Sequence, residues 1–183
     1  VPLWFPLQGA GVSLLHSYPM LTTFLGILME KVTNLTFVEI YRILSFATFP
    51  LTAWGIYVFA RYKTKNQVAA FFAGVFFLLS QASWVFQRLH GIFAQSFSLV
   101  FVPWSFLFFD IWLSKNIQKA SGLIQRLALL LGVVFTALAF LTHVVTGMVV
   151  ALSLVAYAII YSQTKFGVKF NLRNRLKDLI NTV

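Results

Sequence analysis

The chain has no cysteine among its 183 residues, which excludes a disulfide frame and any thiolate metal site. Acids are nearly as scarce: four Asp and Glu stand against fourteen Lys and Arg, and only 10% of residues are charged. Four carboxylates are too few for an oxygen-rich site for hard cations, so no metal and no cofactor is expected. There is also too little polar surface for a water-soluble fold of this size, because folded soluble proteins keep a large exposed area. What fills the sequence is 60% hydrophobic and 17% aromatic, with a mean hydropathy of +0.85.

Long uncharged runs dominate: 43–60, 66–87, 91–109 and 127–164. Runs of about 18 residues or more are long enough to cross a bilayer as helices. The expected fold is all-α, a multi-span integral membrane bundle. About five spans are drawn, at 37–60, 67–87, 92–113, 123–142 and 146–162. The last two come from one run of 38 uncharged residues, which at about 1.5 Å per residue is nearly twice the bilayer core. It must break, and the polar interruption is Thr142-His143 with Thr146-Gly147. Pro50 and Pro103 predict kinks within spans one and three, and Trp84 and Trp112 near span ends suit an interfacial belt.

A net charge of +10 would point to nucleic acid in a soluble protein, but here it reads as topology, with no nucleic-acid partner expected. Eleven of the fourteen cations fall in segments 61–66, 115–126 and 165–183, which alternate onto one side. The positive-inside rule makes that side cytoplasmic, in the plasma (inner) membrane, against anionic lipid. His143 then faces outward. Three regions follow: an external loop and amphipathic surface helix at 1–36, a transmembrane core at 37–162, and a basic interfacial tail at 163–183. Within the first, "YPMLTTFLGILMEK" puts Thr22, Gly26 and Glu30 on one helix face and Met20, Phe24 and Leu28 on another. Asn34-Leu35-Thr36 is a glycosylation triplet on the outer side.

On that side the costly polar residues gather. "FVEIYR" offers Glu39 and Arg42, "QRLHGIFAQ" offers Arg88, His90 and Gln95, and the Thr142–Thr146 turn offers His143. Cations with imidazole at a membrane face suit a phosphate attached to a lipid tail. Each also has a structural reading: Glu39 and Arg42 as a helix pair, Arg88 snorkelling, His90 as plain loop, and His143 as a turn-closing ring. Catalysis by general base needs a nearby carboxylate, and Glu39 is the weak candidate.

The order "VPLWFPLQGAG…HSYPMLTTFLGIL", "EIYRILSF", "GIFAQSFSLVFVPWSF" and "LTHVVTGMVV" resembles the membrane core of GT-C class glycosyltransferases, over most of the chain to about residue 162. It is most similar to bacterial and archaeal membrane proteins labelled 6-pyruvoyl-tetrahydropterin synthase-related, although nothing in the chain points to pterin chemistry. Tyr18-Pro19 matches an element of that family with Met20 in place of a second proline. Gln95 stands where some relatives have an acid, and Val144 where they have proline. The resemblance implies sugar transfer from a polyprenyl-phosphate donor on the extracytoplasmic face. Arg42, Arg88 and His143 would hold the phosphate, with His90 and Gln95 nearby. It also implies that the family's catalytic acid lies before Val1, so the sequence is expected to be a fragment. The rival expectations are a transporter or flippase of lipid-linked substrates, and a non-catalytic membrane scaffold.

Overall fold

The structure is a computed structural model describing residues 4–5, 12–13, 20–80, 93–117 and 122–166, with side chains over 21–80, 93–114 and 122–161. A two-residue antiparallel bridge pairs β1 (Trp4–Phe5) with β2 (Val12–Ser13). All other described elements are helical: α1 (Met20–Thr33), α2 (Phe37–Thr64), α3 (Gln67–Leu79), α4 (Phe93–Ser98), α5 (Val102–Ile117), α6 (Gly122–Thr142) and α7 (Val144–Phe166).

Four stretches are long and apolar enough to cross a membrane: Phe37–Thr64, Phe93–Ser114, Gly122–Thr142 and Val144–Tyr161. The protein is therefore a multi-pass, membrane-embedded all-α bundle. The second of the five expected spans is shorter than drawn. Its described helix, Gln67–Leu79, has 13 residues and reaches about 20 Å, less than the hydrocarbon core. Residues 81–92 lie outside the described region, and Trp84 with them.

Local chemistry explains the corners. α2 ends where Lys65 takes a left-handed conformation (φ 57°) and returns its N–H to the Arg61 carbonyl. Asn66 then caps α3, its Oδ1 accepting from the N–H groups of Val68 and Ala69 at 2.9 and 3.2 Å. Two residues thus reverse the chain, and α3 packs back along α2. Gly74 makes that approach possible, since a Cβ there would lie 3.0 Å from the Ala53 carbonyl oxygen.

The two prolines act differently. α2 passes Pro50 without a break. Pro103 has no N–H to offer the Leu99 carbonyl, which accepts from Val102 instead at 3.3 Å. The turn 99–102 tightens to three-residue hydrogen bonding, dividing α4 from α5 within one span. Below this bend Trp104, Phe108 and Phe135 stack with ring centroids 5.6–6.3 Å apart, joining α5 to α6. Trp112 departs from the interfacial expectation. It is buried with Leu113 and Ala128, against Phe109 and Tyr157, so its ring fills the core.

The long run breaks at His143 alone. The end of α5 and the start of α6 meet the last turns of α7 through Trp112, Ala128, Tyr157 and Tyr161, so α6 and α7 run antiparallel. Chain direction therefore alternates, and the ends of α2, α5 and α7 share one end of the bundle. The starts of α2 and α4 and the α6–α7 corner share the other.

α1 packs on α2 and α6. Thr22 and Gly26 are buried, whereas Phe24, Leu28 and Val32 form an exposed apolar stripe at four-residue spacing. Glu30, expected on the Thr22 face, is exposed. An apolar stripe on an otherwise packed surface helix is the form that lies in the membrane interface. The tail beyond residue 166 falls outside the described region.

Candidate functional site

At the His143 end, Thr36 begins α2 with a capping box. Glu39 Oε2 accepts from the Thr36 backbone N–H at 2.8 Å and from its hydroxyl at 2.7 Å, and Thr36 Oγ1 accepts from the Glu39 N–H at 3.4 Å. The Glu39 carboxylate is thus engaged in starting the helix. Arg42, one turn further, is exposed and forms no ion pair among the described residues. Tyr41 beside it meets Phe93 with centroids 4.6 Å apart, bringing the start of α4 to the start of α2. Gln95 sits in that first turn of α4, half-buried, its carbonyl accepting from the Ser98 hydroxyl at 2.6 Å. α4 also packs against α6 and α7.

His143 closes the corner. Its backbone N–H returns to Ala139 and its carbonyl accepts from Gly147, so it belongs to both helices' ladders. Its Nδ1 accepts the Thr146 backbone N–H at 3.2 Å and lies 2.8 Å from Thr146 Oγ1. This is an N-cap made by imidazole, with Thr146 in the third position of α7. Nδ1 as acceptor puts the ring proton on Nε2, the nitrogen left for a substrate. Burial pushes the imidazole below its ordinary 6.5.

The cap predicts a pH dependence. A ring with a lowered folded-state pKa binds fewer protons folded than unfolded, so its contribution is complete above about 6.5 and is lost as pH falls through the folded value. Thermal unfolding of wild type should weaken between pH 7 and pH 5 more than that of His143→Asn, which caps without titrating. His143→Ala should cost about 1 kcal/mol at pH 7.5. Parallel pH profiles for wild type and His143→Asn would remove the imidazole from this role.

Arg42, Gln95 and His143 thus share one end of the bundle, and Arg88 and His90 lie outside the described residues. Below Arg42, α2, α3 and the α4–α5 bend enclose an apolar groove of about 250 Å³, lined by Thr52, Ile56, Phe59, Phe77, Pro103 and Phe106 among others. Thr52 adds no free polarity, because its hydroxyl donates to the Thr48 carbonyl at 2.8 Å.

A second polar centre stands at the opposite end, which sequence reasoning assigned only to the inner side. Lys63 Nζ donates to Asp110 Oδ1 and to Tyr157 Oη, each at 2.9 Å, and Tyr157 Oη donates to Asp110 Oδ1. Three helices are tied by three side chains. The Asp110 side chain is 4% exposed and that of Lys63 38%. Next to them Tyr62 and Ser114 share a hydrogen bond of 3.2 Å. The signal was present in "FLFFDIW", since an acid inside an apolar span requires a cationic or hydrogen-bonding partner. No three His, Asp or Glu side chains stand together as metal ligands among the described residues.

These features define a polytopic helical membrane protein with a polar centre at each end and an apolar groove between helices. No protein-family model, curated protein or solved structure matches the chain.

Proposed function

We propose that the protein binds a lipid-linked phosphate and serves sugar transfer from a polyprenyl-phosphate donor on the extracytoplasmic face, as the resemblance to GT-C glycosyltransferases implies. The observation that carries this reading is Arg42, an exposed guanidinium at this end of the bundle with no ion pair among the described residues. It stands ten residues, about 15 Å along α2, from the apolar groove at Thr52. A guanidinium suits a phosphate, and a groove without free polarity suits an isoprenoid or acyl chain. Gln95 and the Nε2–H of His143 supply further hydrogen-bonding groups at the same end. Lys63, Lys65 and the other end would then face the cytoplasm.

Among the described residues the acids are three, and two of them are already engaged. Glu39 is held in its cap and Asp110 by Lys63 and Tyr157, while Glu30 lies exposed near the end of α1. Arg42, Gln95 and His143 are therefore assigned to binding and orienting the donor. The test is sugar transfer from polyprenyl-phosphate donors by the full-length protein in liposomes. Arg42→Ala should lower kcat/KM by about 100-fold, the loss of one charge-assisted phosphate contact. Arg42→Lys should retain part of the activity. Unchanged turnover in Arg42→Ala would remove the phosphate site, and movement of the lipid across the bilayer without transfer would reassign it to transport.

A further inference from the structure

The centre around Lys63 has the composition of a receptor. Its ammonium donates to a buried carboxylate and a phenol oxygen, and it stands over the rings of Tyr157 and Tyr161, 5.6 and 5.7 Å from their centroids. A carboxylate, a hydroxyl and two aromatic faces are the groups that recognise an organic ammonium away from bulk water.

The receptor and its occupant come from different parts of the fold. Asp110 belongs to α5, and Tyr157 and Tyr161 to α7. They are held together without Lys63, by the Tyr157–Asp110 hydrogen bond and by packing of both tyrosines against Trp112, Leu113 and Ala128. Phe106 meets the Tyr157 ring nearly perpendicularly at 6.1 Å. Lys63 alone comes from α2, one residue before its end, and it is the more exposed partner. A long, flexible stem at a helix terminus can withdraw where a packed carboxylate cannot.

We propose that Asp110, Tyr157 and Tyr161 form a binding site for a primary alkylammonium group, which Lys63 fills as an intramolecular ligand. An external ammonium, free or as the headgroup of an aminophospholipid, exchanges with Lys63. Exchange loosens the end of α2 from α5 and α7 and leaves the Tyr62–Ser114 hydrogen bond as a polar tie there. This site lies at the opposite end from Arg42 and His143 and stands whether or not the chain serves sugar transfer.

The test uses the full chain carrying Lys63→Ala in phosphatidylcholine nanodiscs, with thermal unfolding followed against ethylammonium chloride. Ethanol and sodium chloride serve as the neutral and ionic controls. The expected result is a saturable rise in Tm of at least about 3 °C with ethylammonium alone, absent from Lys63→Ala/Asp110→Asn. The same rise in phosphatidylethanolamine discs without added amine assigns the headgroup as ligand, and a rise confined to the free ion assigns a soluble amine. No rise, or an equal rise in the double variant, overturns the site. If Lys63→Ala does not fold with or without ethylammonium, Lys63→Gln is measured by the same criteria, since its amide still offers donors to Asp110 and Tyr157.

Discussion

Lys63→Met should lower stability by about 3 kcal/mol, and adding Asp110→Leu should return most of that loss. The asymmetry follows from burial. Asp110 is almost wholly enclosed, and the Met side chain keeps an apolar stem over it, so losing the ammonium leaves a poorly hydrated carboxylate with Tyr157 as its side-chain partner among the described residues. Lys63 is partly exposed, which screens the pair and places the effect at the lower end of the range for broken buried pairs. Removing both charges removes the desolvation cost with the attraction, and apolar replacements suit the neighbouring Tyr157 ring, which packs on Phe106 and the Trp112 cluster. Asp110→Asn alone should fall between, because the amide still accepts from Lys63 and Tyr157. Unfolding in mixed micelles measures all four proteins. A loss below about 1 kcal/mol in Lys63→Met would show that the pair does not hold the three helices.

Gly147→Ala should be nearly as damaging, at about 2–3 kcal/mol. A Cβ at this position would run into Phe140 Cγ and would lie 2.6 Å from Phe140 Cα. The ring could turn away, but the Cα cannot, so α6 and α7 must part at the corner that His143 closes. Phe140→Ala in the same chain should therefore fail to restore stability. Two other glycines calibrate the expectation. At Gly26 the obstacle at 2.5 Å is the Phe37 ring, a side chain able to move, so Gly26→Ala should cost less. At Gly122 nothing among the described residues lies within 4 Å, and Gly122→Ala should stay within about 0.5 kcal/mol of wild type. Equal costs at Gly147 and Gly122 would mean that the α6–α7 corner is looser than its contacts imply.

The sequence carried the architecture because a bilayer imposes one dominant rule, uncharged length. That rule placed Gly122–Thr142 within a residue and located the break of the 38-residue run between 142 and 146, where it falls at His143 and the next helix begins two residues earlier than drawn. On the second span the described helix ends in a non-helical Ser80, and residues 81–87 of the expected span lie outside the described region. Three roles were hidden for other reasons. Thr36-x-x-Glu39 is a capping-box pattern, but Arg42 three residues on offered a competing ion-pair reading. Trp112 looked interfacial because distance from a span end says nothing about which face a ring occupies. Asp110 found partners 47 residues away on either side, Lys63 and Tyr157, and no local periodicity encodes such a meeting. The outward cluster was only partly open to test, since Arg88 and His90 lie outside the described residues.

All functional readings depend on threading that puts the α2 and α7 ends on one side of the membrane and His143 on the other. Because these 183 residues contain no cysteine, a cysteine introduced into them reports its own position. In cells expressing the full chain, Lys65→Cys and Gly122→Cys should react with a membrane-impermeant maleimide only after permeabilisation. Val144→Cys, exposed beside His143, should react from outside. Labelling of Val144→Cys from the same side as Lys65→Cys would contradict the threading, and with it both the phosphate site and the assignment of the Lys63 centre to the inner face.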